Sequence, residues 1–312
     1  MANARILVVG SINMDVVARV DRLPRPGETV AGLDISYMPG GKGANQAVAA
    51  ARLGSAVRMI GCVGDDVFGD QLRRNLESDG VDVRFVRQLP QSASGVATIT
   101  VEASGQNSIV VVPGANGALT SADIESEEAW TEVRVVLLQL ETPLETIQAA
   151  VDSARRRGVL SILDPAPAPS AGITDRLFDV DVLTPNQSEA RSLTGVAVES
   201  VADADKAARA LRQRGARNVV VKLGELGAYW LGRDDRGLHI PAPKVDAIDT
   251  TAAGDAFNGA LGVALAEGMS FEDALRFACG AGSLACTRRG AQQAMPTRRE
   301  VETLMTHVGA RE

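Results

Sequence analysis

Short, continuous apolar runs recur along this chain, and the stretches between them read as helices. That alternation narrows the possible folds more than any other feature. The runs are Ile6–Gly10, Val57–Val63, Val133–Leu140, Val159–Leu163, Val182–Leu183 and Asn218–Leu223. A strand that is apolar without alternation is buried on both faces, as parallel strands covered by helices are. The helix-like stretches are Ala44–Leu53, Phe68–Ser78, Pro143–Arg157, Ser188–Leu193 and Asp203–Gly215. The order implies βαβ units around a mainly parallel sheet, with helices on both faces. A length of 312 residues allows one large α/β domain or two small ones.

Two segments break the alternation. Asp15–Met38 contains Val16–Val20, a turn with Pro24, Pro26 and Gly27, then Thr29-Val30 and Asp34–Tyr37. Ser94–Pro113 contains Gly95–Glu102, a turn at Ser104-Gly105-Gln106-Asn107, then Ser108–Val112. Both read as antiparallel hairpins, expected to join in one small sheet that covers a cleft. Two unrelated surface hairpins are the alternative. The expected division is a main body of residues 1–12, 39–93 and 114–312, with a lid of 13–38 and 94–113.

Composition excludes several classes of function. A net charge of −7 argues against a nucleic-acid partner. No run approaches the roughly 18 apolar residues of a membrane span, and the N-terminus lacks a signal-peptide apolar stretch. Cys62, Cys279 and Cys286 show no pairing or metal-binding spacing, so a reducing, cytoplasmic setting is expected. The two histidines, His239 and His307, sit in no motif, which argues against Ser-His-Asp or zinc chemistry.

The run Asp249-Thr250-Thr251-Ala252-Ala253-Gly254-Asp255 follows a strand-like segment, Lys244–Ile248, and opens an apolar helix-like one, Ala256–Glu267. The small residues let backbone N–H groups crowd at a helix N-terminus, where unpaired amides and the macrodipole favour anions. A carboxylate there would repel a resting phosphate, but it suits receiving the proton of an attacking hydroxyl. This reads as phosphoryl transfer from a nucleotide to an alcohol. A plain turn and helix cap at Gly254 and Asp255 is the alternative.

Gly40-Gly41-Lys42-Gly43-Ala44-Asn45-Gln46-Ala47 is a glycine-rich turn running into an Ala-rich helix. It is not a P-loop, because Lys42 precedes the last Gly and no Ser or Thr follows. Asn13 and Asp15 follow the first strand and Glu141 follows the strand at 133–140, so all three stand where open α/β sheets bind ligands. Amides and carboxylates together match sugar hydroxyls, which both donate and accept. Each alone reads equally as an Asx turn or cap. Asn186 and Glu189, three apart after another strand, suit a hydrated Mg²⁺ on nucleotide phosphates, or a helix cap. Lys222–Gly227 offers glycines for close approach to a nucleotide, or an ordinary hairpin turn.

In combination and order these motifs resemble the ribokinase branch of the PfkB carbohydrate kinase family, over nearly the whole chain. Phe257-Asn258-Gly259 and Arg288-Arg289-Gly290-Ala291-Gln292 add to the likeness. The resemblance implies a ribokinase-like three-layer α/β/α sandwich with a β lid, paired through that lid in a homodimer. It implies ATP-dependent phosphorylation of D-ribose at the 5-hydroxyl, with Mg²⁺ and an activating K⁺. Asp255 would be the base, and the amides of Ala252, Ala253 and Gly254 the anion hole. Asn13, Asp15, Gly41, Lys42, Asn45 and Glu141 would line the sugar site. Asn186, Glu189, Lys222, Gly224, Gly227, Gly254 and Cys279 would contact ATP or its Mg²⁺. Asp249, Thr251, Ala285, Arg288, Gly290 and position 294 would surround K⁺. Three residues depart from the pattern: Ala294 where Ser is usual, Lys222 where Thr is familiar, and Cys279 in place of a polar residue. A sibling kinase for deoxyribose, fructose or a nucleoside is the nearest alternative, and a non-catalytic sugar sensor the next.

Overall fold

A computed structural model of the chain describes residues 5–102, 104, 106–169 and 172–309. Gly105, in the turn expected at 104–107, therefore lies outside the described residues. The strands are β1 Arg5–Val9, β2 Asn13–Val20, β3 Gly32–Gly40, β4 Ala56–Gly64, β5 Val81–Leu89, β6 Gly95–Glu102 and β7 Asn107–Val112. They continue with β8 Val133–Leu138, β9 Leu160–Leu163, β10 Val182–Leu183, β11 Asn218–Lys222, β12 Ala228–Leu231 and β13 Gly237–Ile240. The helices are α1 Lys42–Arg52, α2 Val67–Ser78, α3 Ser121–Ile124, α4 Glu127–Trp130, α5 Leu144–Arg157, α6 Gln187–Thr194, α7 Val201–Gln213, α8 Ala253–Ala266, α9 Phe271–Ala285 and α10 Arg298–Gly309.

Nine strands form the large sheet in the order β13-β12-β11-β10-β9-β8-β1-β4-β5. It is parallel from β5 to β11, and β12 pairs antiparallel with both β11 and β13. Successive side chains of one strand enter opposite cores, as the pleat requires. Ile6 and Val8 pack with Ala44, Ala47, Leu72, Ala260 and Ala278 from α1, α2, α8 and α9. Leu7 and Val9 pack with Ile147, Ala190 and Ala207 from α5, α6 and α7. The unbroken apolar runs thus mark strands sealed on both sides, giving the expected three layers.

The chain places β4 and β5 on one side of β1, and β8 to β11 on the other. The strand order therefore switches direction at β1 and β8, and a crevice opens beyond their carboxyl ends. Ser11, Asn13, Glu141, Asp164, Asn186 and Lys222 all follow or end strands on that side.

The two hairpins do join, in a four-stranded sheet of order β3-β2-β6-β7. The β2 and β6 strands pair in parallel from Asn13↔Gly95 to Val20↔Glu102, with β3 and β7 antiparallel at the edges. Its outer strands expose Leu33, Ile35, Tyr37, Ile109, Val110, Val111 and Val112.

Some expectations change. Lys244–Ile248 is not a strand. The N–H groups of Ile248 and Asp249 go instead to the carbonyl of Cys286 beyond α9, and Ile248 is exposed. Apolar alternation there reflects a segment lying along a cleft wall. Thr29-Val30 forms no strand either, since β3 begins at Gly32. The half-exposed β5, the short apolar β12 and the mixed β13 had no expected counterpart.

Candidate active site

Asp255 lies in the first turn of α8 and is 4% exposed. Two carboxamides from α1 hold its oxygens: Asn45 Nδ2 donates to Oδ2 at 2.9 Å and Gln46 Nε2 to Oδ1 at 3.1 Å. The two ends of the chain therefore meet at one carboxylate. Burial is the largest influence on Asp255 and lifts its pKa. Asp164 adds to the rise, while Lys42 and the two amides oppose it, and the net direction is upward.

Gln46 also donates to Asp164 Oδ2 at 3.2 Å and accepts from Gln139 Nε2 at 2.7 Å. Asp164 is 2% exposed and pairs with Lys222 Nζ at 2.8 Å. A Cβ added to Gly254 would stand 3.4 Å from that Nζ, so the ammonium sits beside the start of α8. Gln46, Asp164 and Gln139 were absent from the expected site. A polar residue in an Ala-rich helix shows no motif of its own, and their partners lie 93 and 118 residues away.

Ala252 caps α8 in the left-handed region at φ 57°, with no side-chain cap. Ala253 N–H donates to Thr250 O at 3.3 Å, so the expected trio of free amides is altered. Among the described residues, the N–H groups of Ala252, Gly254 and Asp255 have no acceptor. These are the donors open to an anion.

On the other side of Asp255, Glu141 accepts from Ser11 Oγ at 2.5 Å and from Lys42 N–H at 3.1 Å. Asp15 is close enough to Glu141 and Asp255 to feel both. Burial first, then these two carboxylates, push its pKa up to about 7. The Lys42 ammonium faces Asp255, Asp164, Glu141 and Glu189; burial works against its charge, but these neighbours outweigh it and raise its pKa. Gly41 caps α1 at φ 88°, where an added Cβ would stand 2.7 Å from Asn13 N and 3.0 Å from Ser11 O. Only glycine allows the chain to turn there against β2.

A cleft of about 1100 Å³ extends from Asp255 past Lys42, Asp164, Lys222 and Gly254. Its far walls are the turn at Gly224–Gly227, the segment 242–247, and Cys279, Ser283 and Cys286 on and beyond α9. Cys279 is buried against this wall, with its thiol pushed up to about 12 by burial. Asn186 and Glu189 line the cleft and form a reciprocal capping box at the start of α6. Glu189 is raised by burial and by Asp164, with Lys222 opposing.

Asp249 does not point at Asp255. Its Oδ1 accepts from Thr251 N–H and Oγ1 at 2.9 and 2.6 Å, and its Oδ2 accepts from Gly290 N–H at 3.0 Å. It ties the loop before α8 to the loop after α9. Arg288 pairs with Glu300, and Ala294 is fully buried.

A nucleotide-sized cleft, free amides at a helix start and a buried carboxylate beside polyol-type residues define a phosphotransferase. The family model for pfkB family carbohydrate kinases matches residues 3–298, and the chain belongs to that family. A ribokinase of Haemophilus influenzae is 40% identical over 304 residues, covering 97% of this chain and 98% of its own. A deoxyribokinase of Salmonella typhi is 38% identical, covering 94% and 95%. An Arabidopsis thaliana ribokinase structure, complexed with ribose and ATP, matches with a TM-score of 0.89 and 34% identity over 98% and 99% of the chains.

Proposed function

We propose that the chain phosphorylates D-ribose at its 5-hydroxyl with ATP, giving ribose 5-phosphate and ADP. The observation that carries this reading is the meeting of Asn45 and Gln46 with the buried Asp255 that lines the cleft. Asp255 takes the hydroxyl proton, and the free amides of Gly254 and Asp255 receive charge on the transferred phosphoryl group. Asn13, Asp15, Gly41, Lys42, Asn45 and Glu141 hold the sugar. The nucleotide lies along Asn186, Lys222, the Gly224–Gly227 turn and Cys279, and the small sheet closes over the sugar to exclude water. The activity is cytoplasmic. In a coupled ADP-release assay over a panel of sugars, ribose should give the highest kcat/KM. Deoxyribose winning would move the assignment to its sibling, and no ADP release with any sugar would leave a binding protein.

Asp15 makes sugar binding depend on pH. Its carboxyl sits near 7 without sugar, and a hydroxyl donating to it favours the ionised form. Protonation therefore competes with the sugar. The sugar Kd should rise by up to about tenfold per pH unit below 7 and level off above it. Asp15→Asn should flatten the curve in calorimetric titrations; an unchanged curve would reject this role.

The donor sets fit both implied cations. Two buried carboxylates, Asp164 and Glu189, face the cleft with Lys42 and Lys222 as nearby cations. Asn186 and Glu189 already satisfy each other, so they suit a Mg²⁺ that keeps its waters and rides on the nucleotide. The carbonyls of Asp249, Thr251, Arg288 and Gly290 accept no bond among the described residues. Asp249 holds their two loops together, and oxygens of this kind would hold K⁺. When bound, Mg²⁺ supplies charge neutralisation on the phosphates.

We infer that two chains pair through the small sheet, a reading supported by the apolar side chains exposed on β3 and β7. Val110→Lys with Ile35→Lys should halve the mass seen by sedimentation. A native monomer would reject the pairing.

A further inference from the structure

We propose that Asn116 is a positioning residue for sugar recognition, fixing the carboxamide of Asn13 with its NH₂ group turned to the substrate crevice. The proposal rests on the sugar-kinase reading above and adds a residue that reading does not use.

Asn116 is 1% exposed, in the short turn Gly114–Ala118 that follows β7. Its Oδ1 accepts from Ile12 N–H at 2.9 Å. Its Nδ2 donates to Ile12 O at 3.1 Å and to Asn13 Oδ1 at 2.7 Å. The backbone dictates these orientations. The Ile12 N–H can only donate, so the Asn116 oxygen must face it, and the Ile12 carbonyl can only accept. The Asn116 NH₂ group therefore faces Asn13, and the atom it meets must be the Asn13 oxygen. What remains for the crevice is Asn13 Nδ2, which has no acceptor among the described residues. Nothing larger than glycine fits alongside. A Cβ at Gly95 would stand 2.2 Å from both Asn116 Nδ2 and Asn13 Oδ1.

The result is a donor beside an acceptor. Asp15 lies two residues along β2, on the same face as Asn13. Sugar hydroxyls each carry one proton to give and lone pairs to receive. Asn13 donating and Asp15 accepting satisfies both capacities, whereas a flipped Asn13 would line up two acceptors. The clamp also sits where the chain passes between the two sheets, at the start of β2, the start of β6 and just beyond β7.

The test is a double-mutant cycle in the full-length enzyme, using whichever sugar the native protein turns over fastest. Asn116→Ala should raise the sugar KM roughly tenfold, the weight of one misdirected buried hydrogen bond, and leave the ATP KM within about twofold. In an Asn13→Ala background the same change should add less than about twofold, because the group it positions is gone. An equal penalty in both backgrounds, or none in the native one, overturns the proposal. If Asn116→Ala does not fold, Asn116→Ser carries the same cycle. Failure of the ribose assignment would show differently, as a native preference for another sugar with the coupling intact.

Discussion

Replacing Asp255 by Asn is expected to leave a folded protein that binds sugar and nucleotide but turns over about 10²-fold more slowly or worse, the usual weight of a positioned acid–base group. The substitution keeps the side-chain volume and removes only the proton acceptor. Asn45 and Gln46 donate to both oxygens of Asp255, so one of the two amides would face an NH₂ group and reorient. Burial disfavours the charged form of Asp255 and Lys42 favours it. The variant therefore relieves a strain in the resting protein, and its thermal stability should match or exceed that of the native chain. Single-turnover measurement with ATP and ribose, together with a melting curve, checks both halves. Near-native turnover would remove Asp255 from the chemistry. Unfolding would show that its role is structural.

The parts of this site that were legible in sequence are those carried by local pattern. Continuous apolar strands reveal the parallel sheet because burial on both faces leaves no polar register. Placing Asn13, Glu141 and Asn186 at carboxyl ends of strands then needs no further information. Asp249–Asp255 is legible because small residues before an acid and an apolar helix have few uses. What was not legible is long-range. Gln46 stands in the glycine-rich motif without a role of its own until Asp164, Asp255 and Gln139 arrive around it. Asn116 belongs to no motif in the sequence, and the backbone it clamps lies 104 residues away. The spacing of Asn186 and Glu189 fits a cap and a cation site alike, and the structure displays the cap. Lys244–Ile248 carries strand-like residues, but residues 244–247 line the cleft and the Ile248 N–H goes to the Cys286 carbonyl beyond α9.

Lys222→Met should be the most destabilising change on the nucleotide side of the site. The Lys222 and Asp164 side chains are 12% and 2% exposed, and their 2.8 Å contact is the only ion pair Asp164 makes among the described residues. Removing one partner strands a buried carboxylate, at a cost of about 3–5 kcal/mol. For a chain of this size that is a fall in Tm on the order of 5–10 °C. Removing both charges is different. Lys222→Met with Asp164→Leu leaves no unpaired ion, so most of the lost stability should return. Catalysis should not return with it. The Lys222 ammonium stands next to Gly254, where the unpaired amides begin, and a nucleotide phosphate arriving there would share that charge with Asp164. The double variant should therefore melt near the native temperature but show an ATP KM raised roughly tenfold or more, the weight of one charge-assisted hydrogen bond. Recovery of both stability and ATP affinity would reduce Lys222 to a counter-ion for Asp164. Recovery of neither would mean that Asp164 serves Gln46 and Asp255 independently of its ion pair, since the carboxylate that fixes Gln46 is lost along with the charge.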